Sequence, residues 1–379
     1  MMEDRPLWWY AGFSAKTHHA KETAMGVKYV GVDVHGQTCV FHVLDDKGTD
    51  VLGGAVVPTR KEPLLEFVKH LGGTVHLALE EGTQAQWFRA LVRPFVEKVV
   101  VCNARKNTRG RTLRNKTDRK DARSLARLLY QGELSPVYHG DEDLEEFRNL
   151  VKTYQVLLAD TTRAKNRIKA VYRARGIPTD GNGAYGRSTR QQYLEKATSS
   201  AVRSRLEAFH VQMDIGTALV QQARSNMLLE ARKYCAYRTL MTVPGIGRIG
   251  AAVLVATIGT PRRFPTKQAF WAYCGLAVIH RESGEHVIGP DGIRRRSGPT
   301  RTYGLNRNRN GSLKGVFKVA AIAARKDPEV EEYYQGLLAR GLRPEVARVQ
   351  LARKLATVAL TIWKKGCRYE KGRLKQQNA

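Results

Sequence analysis

Three things are scarce in this 379-residue chain, and each scarcity removes a class of protein. Paired cysteines are missing. Cys39, Cys102, Cys235, Cys274 and Cys367 are odd in number, widely spaced and contain no Cys-x-x-Cys pair. That argues against a disulfide framework and a structural zinc site, and it suits a reducing cytoplasm. Long apolar runs are missing too: none reaches the roughly 18 residues that cross a bilayer, so no membrane partner is expected. Residues 6–15, PLWWYAGFSA, resemble a short export-signal core, but the acidic MMED before them has the wrong charge. Acidic residues are the third scarcity. Asp and Glu number 35 against 64 Lys and Arg, a net charge of +29. Such an excess favours a polyanion, because each phosphate that a cation neutralises releases condensed counterions.

What is present is enough for two domains and a connector. Apolar residues make up 42% of the chain, an ordinary share for a globular core. An ordered fold is expected to begin near MGVKYVGVDVHG, leaving residues 1–26 as a disordered extension. Residues 27–34 and 38–45 read as strands joined by a turn at His35-Gly36-Gln37, with a third strand near Val51–Val57. A helix over 60–71, a strand over 75–80, a helix over Gln84–Val96 and a strand over Val99–Cys102 follow. This order predicts a mixed sheet with helices packed on it. A basic loop, ARKNTRGRTLRNK at 104–116, leads into a helix over 117–130.

The texture changes at Asp141. Leu144, Phe147, Val151, Tyr154, Leu158, Thr161, Lys165, Ile168 and Tyr172 fall at alternating spacings of three and four, a heptad seam. GIPTDGNGAYG at 176–186 interrupts it, and residues 190–235 resume as a second long helix. The reading is an antiparallel helical pair over 139–236, serving as a connector, a dimerisation arm or a plain helical hairpin within one monomer. Residues 237–366 are globular again, and the tail 367–379 is expected to be disordered.

Four acids stand out. Asp33 follows an apolar strand start and sits inside the strand, where a carboxylate is costly unless paired or bound to a cation. Glu80 closes the strand VHLALE, on the opposite side of the strand from Val75, Leu77 and Leu79. Glu81 is its rival, and Trp87 on the next helix can shield the site. Asp118 and Asp121 are helical neighbours that share a side with Ala122, Leu125 and Leu129. Lys120, Arg123 and Arg127 take the other side. Two inward carboxylates repel each other unless a positive charge lies between them, and a hard divalent cation is well suited to that role. Together the acids could hold two cations for in-line phosphoryl transfer. Arg105, Lys106, Arg109, Arg111, Arg114 and Lys116 would grip the phosphate backbone beside the cut.

A second basic segment, GIRRRSGPTRTYGLNRNRNGSLK at 292–314, reads as a loop entering a helix near Asn310. Arg294, Arg295, Arg296, Arg301, Arg307 and Arg309 make it a phosphate-binding candidate. Among its hydroxyls, Ser297, Thr300, Thr302, Tyr303 and Ser312, one could be a covalent nucleophile towards DNA. Upstream, Val243-Pro244-Gly245-Ile246-Gly247 resembles the hairpin of a helix-hairpin-helix element, whose glycines (Gly245 and Gly247) let backbone N–H groups approach phosphates.

The ordered series GVDVH, LALEEGTQAQW and KTDRKDARSLARLL resembles the RuvC-like domain of DEDD transposases from one group of bacterial insertion sequences. VPGIGRIGAAVLVATIG, FPTKQAFWAYCGL and NGSLKGVFKVAAIAA resemble that family's second domain, so the likeness covers nearly all of 27–366. The resemblance implies an α/β ribonuclease H-like catalytic domain over 27–138, a long helical coiled-coil connector, and a mainly α transposase domain over 237–366. It implies that Asp33, Glu80, Asp118 and Asp121 ligate magnesium or manganese, and it selects Glu80 over Glu81. It further implies assembly into dimers or tetramers on DNA and guidance by a structured bridge RNA. That RNA rests on the resemblance alone. Family members often carry a nucleophilic serine in a stretch like Ile-Ser-Lys-Arg-Gly-Asn. The matching stretch here is Leu305-Asn306-Arg307-Asn308-Arg309-Asn310, which puts Asn306 at the serine position. The expected function is a DNA recombinase that moves its own element. The alternatives are a junction-resolvase type of endonuclease and a non-catalytic nucleic-acid-binding descendant.

Overall fold

The computed structural model describes residues 26–103, 117–140, 142–281, 286–288, 290–291, 294–296 and 301–372. They form two compact units, 1–139 and 140–379.

In the first unit, β1 (Val27–Val34), β2 (Thr38–Leu44) and β3 (Asp50–Pro58) form an antiparallel meander. β4 (Thr74–Glu80) and β5 (Lys98–Cys102) then add in parallel, giving the order β3-β2-β1-β4-β5. The crossovers run through α1 (Lys61–His70) and α2 (Ala85–Val92), as parallel neighbours require. This mixed sheet is consistent with the ribonuclease H-like expectation. Alternation sorts the side chains. Val30, Val32, Phe41, Val43, Leu77 and Leu79 meet Leu64, Phe67 and Phe88 in one apolar core. The intervening positions of β1 and β4 belong to the other face, which α3 (Asp118–Gln131) covers.

One glycine sets how closely α3 lies on β1. A Cβ built on Gly31 would overlap the Ala122 carbonyl oxygen and the Ala126 nitrogen. Helix backbone therefore rests directly on strand backbone, with Ala122, Leu125, Ala126 and Leu129 buried beneath it. Thr117 caps the helix by accepting the Lys120 N–H, and Gly132 ends it in the left-handed conformation.

The second unit is built on two 32-residue helices, α4 (Glu142–Arg173) and α6 (Ser200–Ala231), with the short α5 (Arg190–Glu195) between them. The connector expected over 139–236 is not a separate body. At its base Leu144, Phe147, Val151, Ala223 and Met227 join the main core of the unit. At its tip Ile168, Tyr172, Leu194, Leu206 and Met213 make a second core. The expected seam also slips: Leu158 is 43% exposed, while Ala164 is fully buried in place of Lys165. An untwisted helix has 3.6 residues per turn, so a 3.5-residue pattern drifts by about 20° per heptad and neighbouring residues take over the contact.

The main core is completed by α7 (Cys235–Leu240), α8 (Arg248–Ile258), α9 (Lys267–Tyr273), α10 (Gly311–Ala323), α11 (Pro328–Ala339) and α12 (Pro344–Lys365). The stretch read as a loop from 292 contains strands. β6 (Val278–Arg281) pairs with β9 (Arg301–Leu305), and β7 (His286–Ile288) with β8 (Arg294–Arg296). The tail expected to be disordered from 367 is tied down as far as Gly372. The Glu329 carboxylate accepts hydrogen bonds from the Tyr369 hydroxyl and the Gly372 N–H, and the Tyr369 N–H donates to the Thr242 hydroxyl. Among the described residues no helix is long and apolar enough to cross a membrane.

Candidate metal centre and nucleic-acid residues

Three local rules put the acids on one face of the sheet. Val32 pairs with Leu79 across the parallel β1–β4 ladder, so Asp33 and Glu80 occupy the next position of each strand. Both fall on the face covered by α3, since Val32 and Leu79 belong to the opposite core. Asp118 and Asp121 occupy the first turn of α3, where the helix dipole favours carboxylates.

A histidine completes the group. His35 Nε2 lies 3.2 Å from Asp33 Oδ2 and 3.5 Å from Asp118 Oδ2. One ligand atom each of Asp33, His35 and Asp118 lies within 4.8 Å of the others, a spacing at which one metal ion could touch all three. His35 was read from sequence as a turn residue only. The signal that could have found it is the Asp-x-His spacing, since residues two apart in extended chain share a face. Glu80 and Asp121 lie outside that triplet. Asp121 is nevertheless near enough to push the Asp33 carboxyl upward, and Glu80 Oε1 is shielded from solvent.

The Asp33 pKa is raised chiefly by burial, opposed by His35, with Asp118 and Asp121 adding repulsion. The site thus concentrates negative charge beyond what one half-exposed imidazole offsets. Carboxylate oxygens with an imidazole nitrogen suit a divalent cation of magnesium or manganese type, so the residues present fit the expected metal.

Two expectations need correction. The acids of α3 were read as facing inward together, yet the Asp118 side chain is 61% exposed. It is the first helical residue and sits at the rim, whereas Asp121 is half-buried one turn further in. Trp87 is exposed, not folded over the acids, because α2 turns Ala85 and Phe88 inward. Glu81 is also exposed, and its N–H is engaged by the Cys102 carbonyl.

Of the expected nucleic-acid residues, Arg105, Lys106, Arg109, Arg111 and Arg114 lie outside the described residues, as do Lys116 and the candidate nucleophile Ser297. Arg294, Arg295, Arg296, Arg301, Thr302 and Tyr303 are described as backbone in β8 and β9. Arg307 and Arg309 are exposed, and the Arg309 guanidinium donates to the Asn306 carbonyl. Asn306 works as a bracket: its amide nitrogen donates to the Ala272 carbonyl and its side-chain oxygen accepts the Asn308 N–H.

The α7–α8 turn separates its two glycines. Gly245 has φ of 79° and sits against the Ala320 carbonyl of α10, so helix packing alone demands it. Gly247 meets nothing within 4 Å and caps α8. A groove beside the turn is lined by both glycines with Lys326 and Lys371.

Comparison with known proteins converges on one family. Residues 30–174 match the transposase model of the DEDD type named for IS110. Residues 237–335 match the model described as Transposase IS116/IS110/IS902 family. A protein of Streptomyces coelicolor named "Insertion element IS110 uncharacterized 43.6 kDa protein" is 33% identical over 150 residues, 39% of this chain and 33% of the relative. "Putative transposase y4qE" of Sinorhizobium fredii is 27% identical over 211 residues, 56% of this chain and 52% of the relative. The chain thus spans between a third and about half of the length of these relatives.

Proposed function

The chain belongs to the IS116/IS110/IS902 family of transposases, and from that premise we propose that it cuts and rejoins DNA strands at the metal centre of its first unit. The observation that carries this reading is the convergence of Asp33, His35 and Asp118, with Asp121 and Glu80 on the same face of the sheet. On this reading the first unit is a ribonuclease H-like domain. Asp33, Glu80, Asp118 and Asp121 would hold magnesium or manganese, which would supply Lewis-acid polarisation of phosphoryl oxygens and activation of an attacking oxygen. The chain's own work is positional. Gly31 lets α3 lie against β1, on the face of the sheet where Asp118 comes near Asp33. His35 Nε2 bridges Asp33 and Asp118. DNA would be gripped by the basic stretches flanking the site and by Arg307 and Arg309 of the second unit, with Ser297, Thr302 and Tyr303 as the candidate nucleophiles.

Guidance by a structured RNA and a cytoplasmic location follow from the family likeness. Assembly of several copies has a structural support. Val211, Ile215, Leu219 and Leu229 are 42–65% exposed along the side of α6 turned away from α4. Their helical spacing suits a coiled-coil contact with another copy.

A second reading is a hydrolytic endonuclease of the junction-resolvase kind. One observation favours it: Asn306, in the serine position, spends its amide on the turn. A single experiment separates the readings. Asp33→Ala and Asp118→Ala should each lower strand cleavage by at least about a thousandfold while DNA binding stays within about threefold. Equal loss of binding and cleavage would make the acids structural. In the active chain, a protein–DNA adduct trapped in the same reaction supports the recombinase, and cleavage without any adduct supports the endonuclease.

A further inference from the structure

The helical pair of the second unit carries opposite charge at its two ends. Residues 142–160, at the base, hold five acids and two cations. Residues 163–206, around the tip, hold eleven lysines and arginines and two acids. A generally basic surface, kept soluble by repulsion, would spread its excess evenly. This one concentrates it at the point farthest from the main core. The 32 residues of α4 span about 48 Å, so the tip core lies roughly 30 Å from the main one.

The tip cations are also held unusually. Only Arg163 and Arg190 pair with carboxylates among the described residues, with Asp160 and Asp214. Several of the others rest on aromatic rings. Lys165 and Lys169 lie 5.7 and 5.1 Å from the centre of the Tyr185 ring, Lys196 lies 4.5 Å from Tyr193, and Arg205 lies 5.5 Å from Phe209. A ring orders a cation without cancelling its charge. Cations fixed this way keep their full attraction for phosphate. Lys165, Lys169 and Arg173 follow one another at four-residue steps along one side of α4, which makes a row.

We propose that the tip of the helical pair is a second grip for duplex DNA. It holds the phosphate backbone through Lys165, Lys169, Arg173, Lys196 and Arg205, separately from the metal centre. The choice of DNA rests on the functional reading above. The spread of the cations along helical surfaces favours contacts with the phosphate backbone, which position a duplex without reading its bases.

The test compares two four-site variants of the full chain. One is K165Q/K169Q/R173Q/R205Q at the tip. The other, K152Q/R224Q/R232Q/R238Q, removes the same charge from exposed positions of the second unit outside it. Binding to a 30-base-pair duplex is followed by fluorescence anisotropy over a salt series. The tip variant should lose at least about tenfold in affinity and flatten the log–log salt slope by about 3, near 0.9 per phosphate released. The control should change by less than about threefold. Unchanged slope in the tip variant overturns the proposal, as does equal loss in the control or a loss confined to a structured RNA hairpin. A thermal midpoint within about 2 °C of the parent shows that the tip variant is folded. Failure of the functional reading is seen separately, as cleavage that survives Asp118→Ala.

Discussion

The rim of the first-unit sheet and the tip of the helical pair both crowd like charges together, but they do so with different mechanics. At the rim, short carboxylates stand on closely packed backbone: strand on strand, and α3 on β1 through Gly31. At the tip, long lysines and arginines lean on rings and reach outward from helices. Short arms on rigid elements define a position to a fraction of an ångström, as a metal requires. Long arms on a convex surface give attraction tolerant of displacement, as a polyanion allows. On the readings proposed above, crowded like charge answers to a cation at the rim and to a polyanion at the tip, and the packing of the support differs accordingly.

The comparison breaks first, if at all, at Gly31. A methyl group there meets helix backbone, which no rotamer change relieves. Gly31→Ala should destabilise the first unit by about 3 kcal/mol, the upper end of ordinary overpacking. It should also weaken metal affinity by lifting Asp118 and Asp121 from Asp33, read as heat of manganese binding by calorimetry. A variant as stable as the parent, with unchanged manganese affinity, would show that the rim is not rigid.

How much of this was legible beforehand follows the range of the rules involved. Alternation along β4 is local and sets the face of Glu80, whereas the three-residue step from Asp118 to Asp121 does not show that Asp118, as the first helical residue, stays at the exposed rim. The closeness of α3 to β1 depends on Gly31, whose meaning appears only when the helix that needs it is in view. His35 escaped because it was read as part of the turn, whereas the alternation of β1 carries on one residue past Val34 and puts it on the side of Asp33. In the long helices a heptad pattern picked Leu158 and Lys165, whereas packing uses Ala164, a slip that grows with length. The strands Arg294–Arg296 and Arg301–Leu305 were hidden because a run of arginines broken by glycine and proline carries no apolar period.

A smaller effect sharpens the picture of the tip. His210 is 2% exposed, and both its ring nitrogens are buried without a hydrogen-bond partner among the described residues. Its pKa is lowered to about 4, by burial first and by the nearby Arg190 second, with Asp214 opposing. The folded state therefore favours the neutral ring, and its contribution to stability is fully present above about 6.5, the unfolded value. That contribution is lost as pH falls from there towards 4. The thermal midpoint of the helical pair should drop by a few degrees across that window, on the order expected for a core of this size. His210→Phe should remove this part of the pH dependence. An unchanged profile in the variant would assign the acid sensitivity to other groups.

The smallest expected effect is the most direct contrast with Gly31. Gly216, within α6, faces Thr161 of α4, and a Cβ there would stand 2.7 Å from the Thr161 hydroxyl oxygen. That oxygen is the end of a side chain which can rotate, at the expense of its hydrogen bond to the Leu157 carbonyl. Losing such a bond costs about 1 kcal/mol, and replacing a mid-helix glycine by alanine returns about 1 kcal/mol. Gly216→Ala should therefore leave the midpoint of chemical denaturation within about 1 kcal/mol of the parent, and DNA binding unchanged. Both substitutions add one methyl group to a glycine at a helix contact. They should differ severalfold in cost because one methyl meets backbone and the other a hydroxyl. A penalty at Gly216 equal to that at Gly31 would mean that the helical pair is as stiff as the sheet, and the distinction between the two supports would fall.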